Sequence, residues 1–384
     1  MTPEPTRSGV IGSRWRTDFF LALLFLLLGN LGRYGVLLYL QGAGSPLDYL
    51  TALCVWDCGW YRTIIEHGYD AAPVEHLRPG GANWAFFPLY PLLVTAVSRA
   101  GLPVLLAGFV VSSACIAAAC LAARPLLRGD RAWRLWGFSL LAGPFSMLFA
   151  TLYTESLFIL LIVLSLRALQ RENYLQAGIW GALLSATRVT GVLMTLGILV
   201  GAVASQRRAG VAWRAIPLAL LRRGDIVLAI FLAPVGLFAY MAYMAARSGD
   251  GLAFLHIQRA WGRDLGNPLT VLWQALAQPL PFSPDGMLVF TWAVAAIFGL
   301  LLALVMLFTR REAAATFTAL AILASLSSGV TAMIRFSAGL APIGMVIAEA
   351  LARWRWLYWL AFPLSFLVGL LVTLGWYRSS LFVM

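Results

Sequence analysis

Residues 288–308 read LVFTWAVAAIFGLLLALVMLF, a continuous apolar run without a charged side chain. A helix of about 20 apolar residues matches the hydrocarbon thickness of a lipid bilayer. Similar apolar runs recur along the chain, for example at 17–40 and 356–376. The sequence therefore predicts an all-α, polytopic membrane protein.

The composition favours the same class. Of the 384 residues, 61% are hydrophobic and 11% are charged, and the mean hydropathy is +0.83. A soluble domain carries about 25% charged residues. The net charge of +12 is compatible with nucleic-acid binding, but arginines near the ends of membrane helices give a simpler explanation. We expect no nucleic-acid partner.

The apolar runs predict about eleven transmembrane helices. Segment 86–100 is apolar too, but Pro88 and Pro91 interrupt it. We assign it to a non-spanning helix on the outer face, because the arginine-rich segments then share one side, the cytoplasmic one. The predicted spans are 17–40, 103–123, 135–151, 155–169, 174–187, 190–204, 226–246, 288–308, 313–329, 338–352 and 356–376.

This topology predicts one transmembrane domain over 1–384, with no separate soluble domain. Its outer face carries two long loops, at about 41–102 and 247–287, which we expect to contain short helices. The first apolar run lacks a small-residue cleavage site, so we expect it to be retained as a helix rather than removed as a signal peptide. Charged residues gather where spans meet the outer face, and charges at membrane depth usually mark a site.

Asp57 lies between two tryptophans in the stretch WDCGWYR at 56–62. One interpretation is a helix N-cap for the residues that follow, a common position for Asp. The other is a general base, because a partly desolvated, aromatic-walled cleft makes a carboxylate a better proton acceptor. The residues alone do not decide between the two.

Aromatic side chains surround this position in the sequence. Trp56, Trp60 and Tyr61 are able to stack on sugar rings, although membrane proteins also place such residues in an interfacial belt. Tyr90 belongs to the stretch FFPLYP at 86–91. Its prolines predict a rigid, kinked surface helix, which is compatible with a groove for a lipid chain or with a structural kink alone.

Three further charged residues stand at junctions between spans. Glu155, in YTES, either complements a helix dipole or contributes to a binding site. Arg188 and Arg335 are cations within apolar sequence. Each is able to pair with an acid such as Glu155, or to hold a phosphate, which suits the planar guanidinium fork.

The second outer loop opens with His256, Gln258 and Trp261, which are candidates to close over the first loop. The four cysteines do not predict a zinc site: Cys54 and Cys58 are able to face each other on a helix turn, but no second ligand pair accompanies them. The sequence offers no metal-ligand set, phosphate-binding P-loop or Gly-x-Ser-x-Gly motif.

Together, these motifs resemble the PIG-V family of membrane mannosyltransferases, within the GT-C glycosyltransferase superfamily. The resemblance covers about 50–345 and rests on the order and spacing of the motifs. Val55 stands where the family usually has His, while Asp57 is kept. The matching segments are Trp56-Asp57 with Trp60-Tyr61, Phe86–Pro91, Gly143-Pro144 leading to Tyr153–Phe158, Ala186–Arg188 with Gly191, and Phe254 with Ile257-Gln258 and Trp261.

The resemblance implies a bacterial homologue of GT-C type in the cell (inner) membrane, with its active site on the extracytoplasmic face. It implies inverting transfer of a sugar, mannose by family, from a polyprenyl-phosphate donor to a lipid, glycan or protein acceptor. Asp57 would be the catalytic base, and Arg188 and Arg335 would bind the donor phosphate. The substrate-binding candidates are Trp56, Trp60, Tyr61, Tyr90, Glu155, His256, Gln258 and Trp261.

A divalent metal is compatible with this reaction, because some GT-C enzymes require one, but no cofactor is certain from the sequence. The main alternative is a lipid or solute transporter or flippase. That class predicts ionisable groups near mid-span and paired broken helices. Here the charges gather at the ends of spans on one face, which favours the enzyme.

Overall fold

A computed structural model of the chain describes residues 7–75, 78–277 and 284–380. Within these ranges the protein is built of helices, and the only β pairing is an isolated bridge between Val74 and Gly81. The helices are α1 Arg7–Gln41, α2 Pro46–Leu53, α3 Cys58–His67, α4 Leu89–Arg99, α5 Val104–Ala122, α6 Asp130–Ala142, α7 Glu155–Gln170, α8 Tyr174–Ser185, α9 Met194–Arg208, α10 Ile216–Leu221, α11 Gly224–Leu232, α12 Val235–Ser248, α13 Ala253–His256, α14 Pro268–Ala277, α15 Pro284–Phe308, α16 Glu312–Leu326, α17 Met333–Ala338, α18 Ala341–Leu351 and α19 Arg355–Tyr377.

In the described part of the chain, six helical segments are long and apolar enough to cross a membrane. Their outward-facing side chains are large and hydrophobic, such as Phe20, Phe231 and Leu371. Such side chains suit contact with lipid. The protein is therefore an all-helical, multi-pass membrane protein. The six segments are Trp15–Gln41, Val104–Ala122, Val189–Arg208, Gly224–Ser248, Gly286–Phe308 and Arg355–Tyr377.

Five shorter helices, α6, α7, α8, α16 and α18, lie in the remaining predicted spans. They have between 11 and 16 residues. Most side chains of α7 are buried by other helices, so this helix is shielded from lipid by protein. A helix overlaps each of the eleven predicted spans, but the prediction for 135–151 is wrong in its second half, because α6 ends at Ala142 and residues 143–151 form turns and bends. Eleven crossings and the GT-C type stay predictions.

The predicted outer loops carry short helices and are bonded to each other. α4 has 11 residues, about 16 Å of helix, too short to cross the hydrocarbon layer. The Arg247 guanidinium, at the end of α12, donates to the Tyr69 carbonyl at 2.9 and 3.1 Å. The Tyr240 hydroxyl donates to the Trp84 carbonyl at 2.7 Å. These hydrogen bonds hold Tyr69 and Trp84 against α12.

Helix α1 packs closely on α6, and this contact determines the position of the segment that connects α6 to α7. A Cβ atom added at Gly29 would lie 2.0 Å from the Leu141 carbonyl oxygen, whereas one added at Gly35 would meet no atom within 4 Å. Membrane helices use such small residues to bring their backbones together. Gly29 therefore allows the contact that fixes the end of α6.

We predict that Gly29→Ala destabilises the protein by about 1–3 kcal/mol, because the added methyl group must push α6 away. Gly35→Ala, on the same helix, is the matched control and should be neutral or slightly stabilising, since Ala favours a helix more than Gly does. Thermal unfolding in detergent measures both. Equal midpoints for the two variants would contradict the close α1–α6 contact.

Candidate active site

Two carboxylates and two guanidiniums that are distant in sequence meet at the N-terminal ends of α3 and α7, beside α17. The Arg335 guanidinium lies 2.7 Å from Oδ2 of Asp57 and 3.3 Å from Oε1 of Glu155. Arg188 donates to the same Glu155 oxygen at 2.5 Å. The 3.3 Å contact is an ion pair without hydrogen-bond alignment, because the Arg335 Nε makes no hydrogen bond to any described residue.

This network is shielded from solvent to different degrees. Glu155 is fully buried, Arg335 is 8% exposed at its side chain, and Asp57 is 19% exposed. Burial alone would lower the pKa of Arg335, but Asp57 and Glu155 outweigh it and raise the pKa above the usual range. Arg335 therefore stays charged, and Asp57 is the acid of the pair that a solute is able to reach.

The backbone around Asp57 is anchored to the segment that precedes α7. The Asp57 N–H donates to the Tyr153 hydroxyl at 2.9 Å, and that hydroxyl donates to the Val55 carbonyl at 2.9 Å. The Thr151 hydroxyl donates to the Leu53 carbonyl at 2.7 Å. These bonds fix the first outer loop directly beside Glu155.

A disulfide between Cys54 and Cys58 closes the same short loop. Between them, Trp56 adopts a left-handed backbone with φ of 57°, and Ala332, just before α17, has φ of 67°. This conformation costs a residue with a side chain roughly 1–2 kcal/mol. The two strained positions precede Asp57 and Arg335, and such strain tends to collect at functional sites. The sequence analysis did not predict this disulfide.

The structure bears on the two interpretations of Asp57. It occupies the N-cap position of α3, but its side chain makes no capping hydrogen bond. Oδ2 faces Arg335, and Oδ1 has no hydrogen-bond partner among the described residues. A carboxylate in this state keeps one oxygen available to accept a proton.

A third guanidinium, Arg263, lies beside the network and was not among the residues predicted from the sequence. Arg188, Arg263 and Arg335 surround the Phe336 ring, with Cζ atoms 5.8, 5.8 and 5.4 Å from its centroid. Burial, reinforced by Arg335, lowers the pKa of Arg263. Within the described residues, the Arg263 side chain has no carboxylate or hydrogen-bond partner.

The charges of this cluster do not cancel. Among the described residues, Asp57 and Glu155 form salt bridges with Arg335 and Arg188 but not with Arg263, so these three guanidiniums exceed the two carboxylates by one charge. Arg263 follows an αL glycine, Gly262, in a loop without helical periodicity. No pattern in the sequence marked it, although a basic residue just after the matched Trp261 was a signal that could have been used.

Two of the predicted aromatic residues join the outer loops. Trp60 stacks on Phe86 at 6.0 Å and meets Trp261 at 5.5 Å between ring centroids. Arg78 stacks on Trp261 at 5.7 Å and donates to the Ala260 carbonyl. The second loop therefore covers one side of the first loop near Asp57.

The other predicted aromatic residues differ in accessibility. Trp56 is 36% exposed and lies next to Asp57. Tyr61 is buried against Phe86, Tyr90 and Tyr153, and burial raises its pKa. Tyr90 is fully buried, with its hydroxyl 2.7 Å from that of Ser112. Tyr61 and Tyr90 therefore support the wall of the site, and Trp56 is the one of these three residues that is open to a ligand.

The structure does not bring His256 into the ionic network. Its side chain is 58% exposed and bonds Asp250 at 2.6 Å, and this bond lowers the pKa of Asp250. Gln258 contacts its own helical turn, with the amide 3.5 Å from the Phe254 carbonyl. In the ranges the structure describes, no group of three His, Cys, Asp or Glu side chains is arranged to hold a metal ion.

No protein-family model matches this chain, and no curated protein matches its sequence. The function is therefore inferred from the residues of the site and from the motifs that they form.

We predict that Glu155→Gln destabilises the protein by about 3–5 kcal/mol, because Arg188 and Arg335 lose their shared buried counter-charge. Glu66→Gln is the control: Glu66 pairs with Arg62 at 2.8 Å on the exposed face of α3, and such pairs contribute little. Unfolding midpoints in detergent measure both. Similar small shifts for the two variants would show that Glu155 does not compensate the arginines.

Proposed function

We propose that this protein is an inverting glycosyltransferase that uses a polyprenyl-phosphate-linked sugar, with mannose as the sugar expected from the PIG-V resemblance. The observation that carries the proposal is the state of Asp57: one oxygen is paired with Arg335, the other has no hydrogen-bond partner among the described residues, and the side chain is 19% exposed beside Trp56. Such a carboxylate is suited to remove a proton from an acceptor hydroxyl.

In the proposed reaction, the acceptor oxygen attacks the anomeric carbon of the donor sugar. A carbon–oxygen bond forms on one face while the bond to the donor phosphate breaks on the other. The acceptor proton passes to Oδ1 of Asp57, and the polyprenyl phosphate leaves with the bonding electron pair. Inversion follows from this single displacement. A divalent metal remains compatible with the reaction and enters no step here.

The arginines support the departure of the phosphate unequally. Arg188 and Arg335 are already bonded to Glu155 and Asp57, so a phosphate must share them with a carboxylate. Arg263 has no such competitor among the described residues and faces the same ring, Phe336. We therefore add Arg263 to Arg188 and Arg335 as a donor-phosphate ligand. Guanidinium groups at a developing negative charge lower the transition-state energy.

The disulfide supports an extracytoplasmic site. Disulfides persist in oxidising compartments and are rare in the cytosol, and the Cys54–Cys58 bond lies in the loop that carries Asp57. The same orientation places most arginine clusters on the cytoplasmic side. We propose the cell (inner) membrane as the location, with the donor and acceptor bound at its outer face.

We predict that Asp57→Asn lowers turnover by about 10²–10⁴-fold, the contribution of a positioned base. Asn retains an oxygen that accepts from Arg335, so the fold should persist. The control is Asp264→Asn, since Asp264 is an exposed acid of the second outer loop, 82% exposed at its side chain. Transfer of radiolabelled mannose from polyprenyl-phosphate-mannose to host lipid and membrane-protein extract gives the rates.

Glucose and galactose donors belong in the same experiment, because the sugar comes from the resemblance alone. Transfer from one of these donors would support the glycosyltransferase assignment but with a different sugar. Normal turnover by folded Asp57→Asn would remove Asp57 from the catalytic role. Absence of transfer from all three donors by folded wild-type protein would favour the transporter class instead.

We predict that Arg263→Gln lowers kcat/KM for the lipid-phosphate donor by about 10–100-fold, which corresponds to one charge-assisted hydrogen bond. Arg259→Gln is the matched control, because Arg259 lies four residues earlier in the same loop and is 79% exposed at its side chain. The stability of Arg263→Gln should stay close to that of the wild type, since no described carboxylate depends on Arg263. Equal kinetics for both variants would remove Arg263 from the phosphate site.

A further inference from the structure

A small basic pocket lies at the other end of the α7–α8 hairpin from the candidate active site. It encloses about 210 Å³ and is lined by Leu164, Arg167, Ala168, Arg171, Gln176 and Trp180. Arg167 lies twelve residues after Glu155 on α7, which is about 18 Å along the helix axis. The pocket is therefore separate from the Asp57 network.

Neither arginine of this pocket forms a salt bridge with any residue that the structure describes. Arg167 and Arg171 are one turn apart, so they share a face at the end of α7 and repel each other. None of the six lining residues is acidic. Glu172, the next residue in the chain, is engaged elsewhere by the Ser205 hydroxyl at 2.5 Å.

The Arg167 guanidinium also carries an unsatisfied donor. Its Nε is shielded from solvent and has no hydrogen-bond partner in the described part of the chain. A buried donor without an acceptor is costly, and more so when it is charged. The pocket thus presents an excess of positive charge together with a donor that lacks an acceptor.

A larger cavity, also lined by residues near the end of α7, differs from the small pocket because its lining includes acidic side chains. It encloses about 490 Å³, and its lining includes both arginines and glutamates. Arg208 pairs with Glu312 at 3.1 Å, and Arg311 pairs with Glu349 at 2.6 Å. Two of the four arginines that line this larger cavity are thus paired with carboxylates, whereas neither arginine of the small pocket has a salt bridge among the described residues.

We propose that the pocket of Arg167 and Arg171 binds a phosphate-bearing anion, supplied by the headgroup of an anionic phospholipid in the adjacent leaflet. A guanidinium fork matches the oxygens of a phosphate, and basic pockets between membrane helices hold such headgroups. The Gln176 amide adds donors beside the arginines. Leu164, Ala168 and Trp180 provide an apolar floor for the glycerol and the first carbons of the acyl chains.

The test uses the full-length protein in neutral detergent. Dioleoyl phosphatidylglycerol, dioleoyl phosphatidylcholine and inorganic phosphate are titrated separately, and thermal midpoints and native mass spectra are recorded. We predict that phosphatidylglycerol stabilises the wild type more than phosphatidylcholine does. In Arg167→Gln/Arg171→Gln the apparent affinity for phosphatidylglycerol should fall by at least about tenfold. Arg353→Gln, a change at an exposed arginine elsewhere in the chain, should bind as the wild type does.

The outcomes separate the sources of the phosphate. Stabilisation by phosphatidylglycerol alone supports the lipid headgroup, whereas equal stabilisation by inorganic phosphate supports the site but assigns it a soluble ligand. Should the double variant fail to fold, Arg171→Gln alone gives the comparison, because Arg171 is exposed. Equal phosphatidylglycerol affinity in the wild type and in the Arg variants would overturn the proposal.

Discussion

Glu155 is a carboxylate with no exposed surface, and the arrangement of the site depends on how its charge is compensated. An ionised carboxylate in a low-dielectric interior is very unfavourable unless cations and hydrogen bonds surround it. Arg188 arrives just after α8 and Arg335 arrives on α17, so this one acid holds three separate segments together. Arg335 in turn reaches Asp57, and the buried charge thereby fixes the position of the accessible one.

Local backbone strain is consistent with this division between a fixed and an accessible acid. Trp56 would not adopt a left-handed conformation unless its neighbours imposed it, and the Cys54–Cys58 bond and the Tyr153 hydroxyl both act on this loop. Asp57 stands at the N-cap position of α3 but makes no side-chain capping hydrogen bond. The strained turn leaves its side chain facing Arg335 instead, which is the arrangement that the proposed base requires.

The sequence predicted the helices well because apolar runs report burial in lipid or protein directly, whichever of the two applies. Apolar runs do not distinguish burial in lipid from burial in protein. Eleven spans were therefore predicted, whereas only six described segments have the length and hydropathy of a span. The arrangement of the candidate site was harder to predict from the sequence. Asp57 and Arg335 are close in space but far apart in the chain, so sequence spacing left their pairing open. The Cys54–Cys58 spacing is typical of a helix turn, and nothing local in the sequence indicated that Trp56, between the two bonded cysteines, adopts a left-handed backbone.

The distribution of charge also separates the proposed enzyme from a transporter. Alternating access requires a charged site that opens to either side of the membrane in turn. Here Glu155 lies at the first turn of α7, and residues below it on the same helix, such as Ile159 and Ile162, are fully buried and apolar. Opening a path from this network to the opposite face would require the packed α7 core to separate. A site that opens to one face needs no such movement, and the proposed transfer of a sugar requires access from one face only.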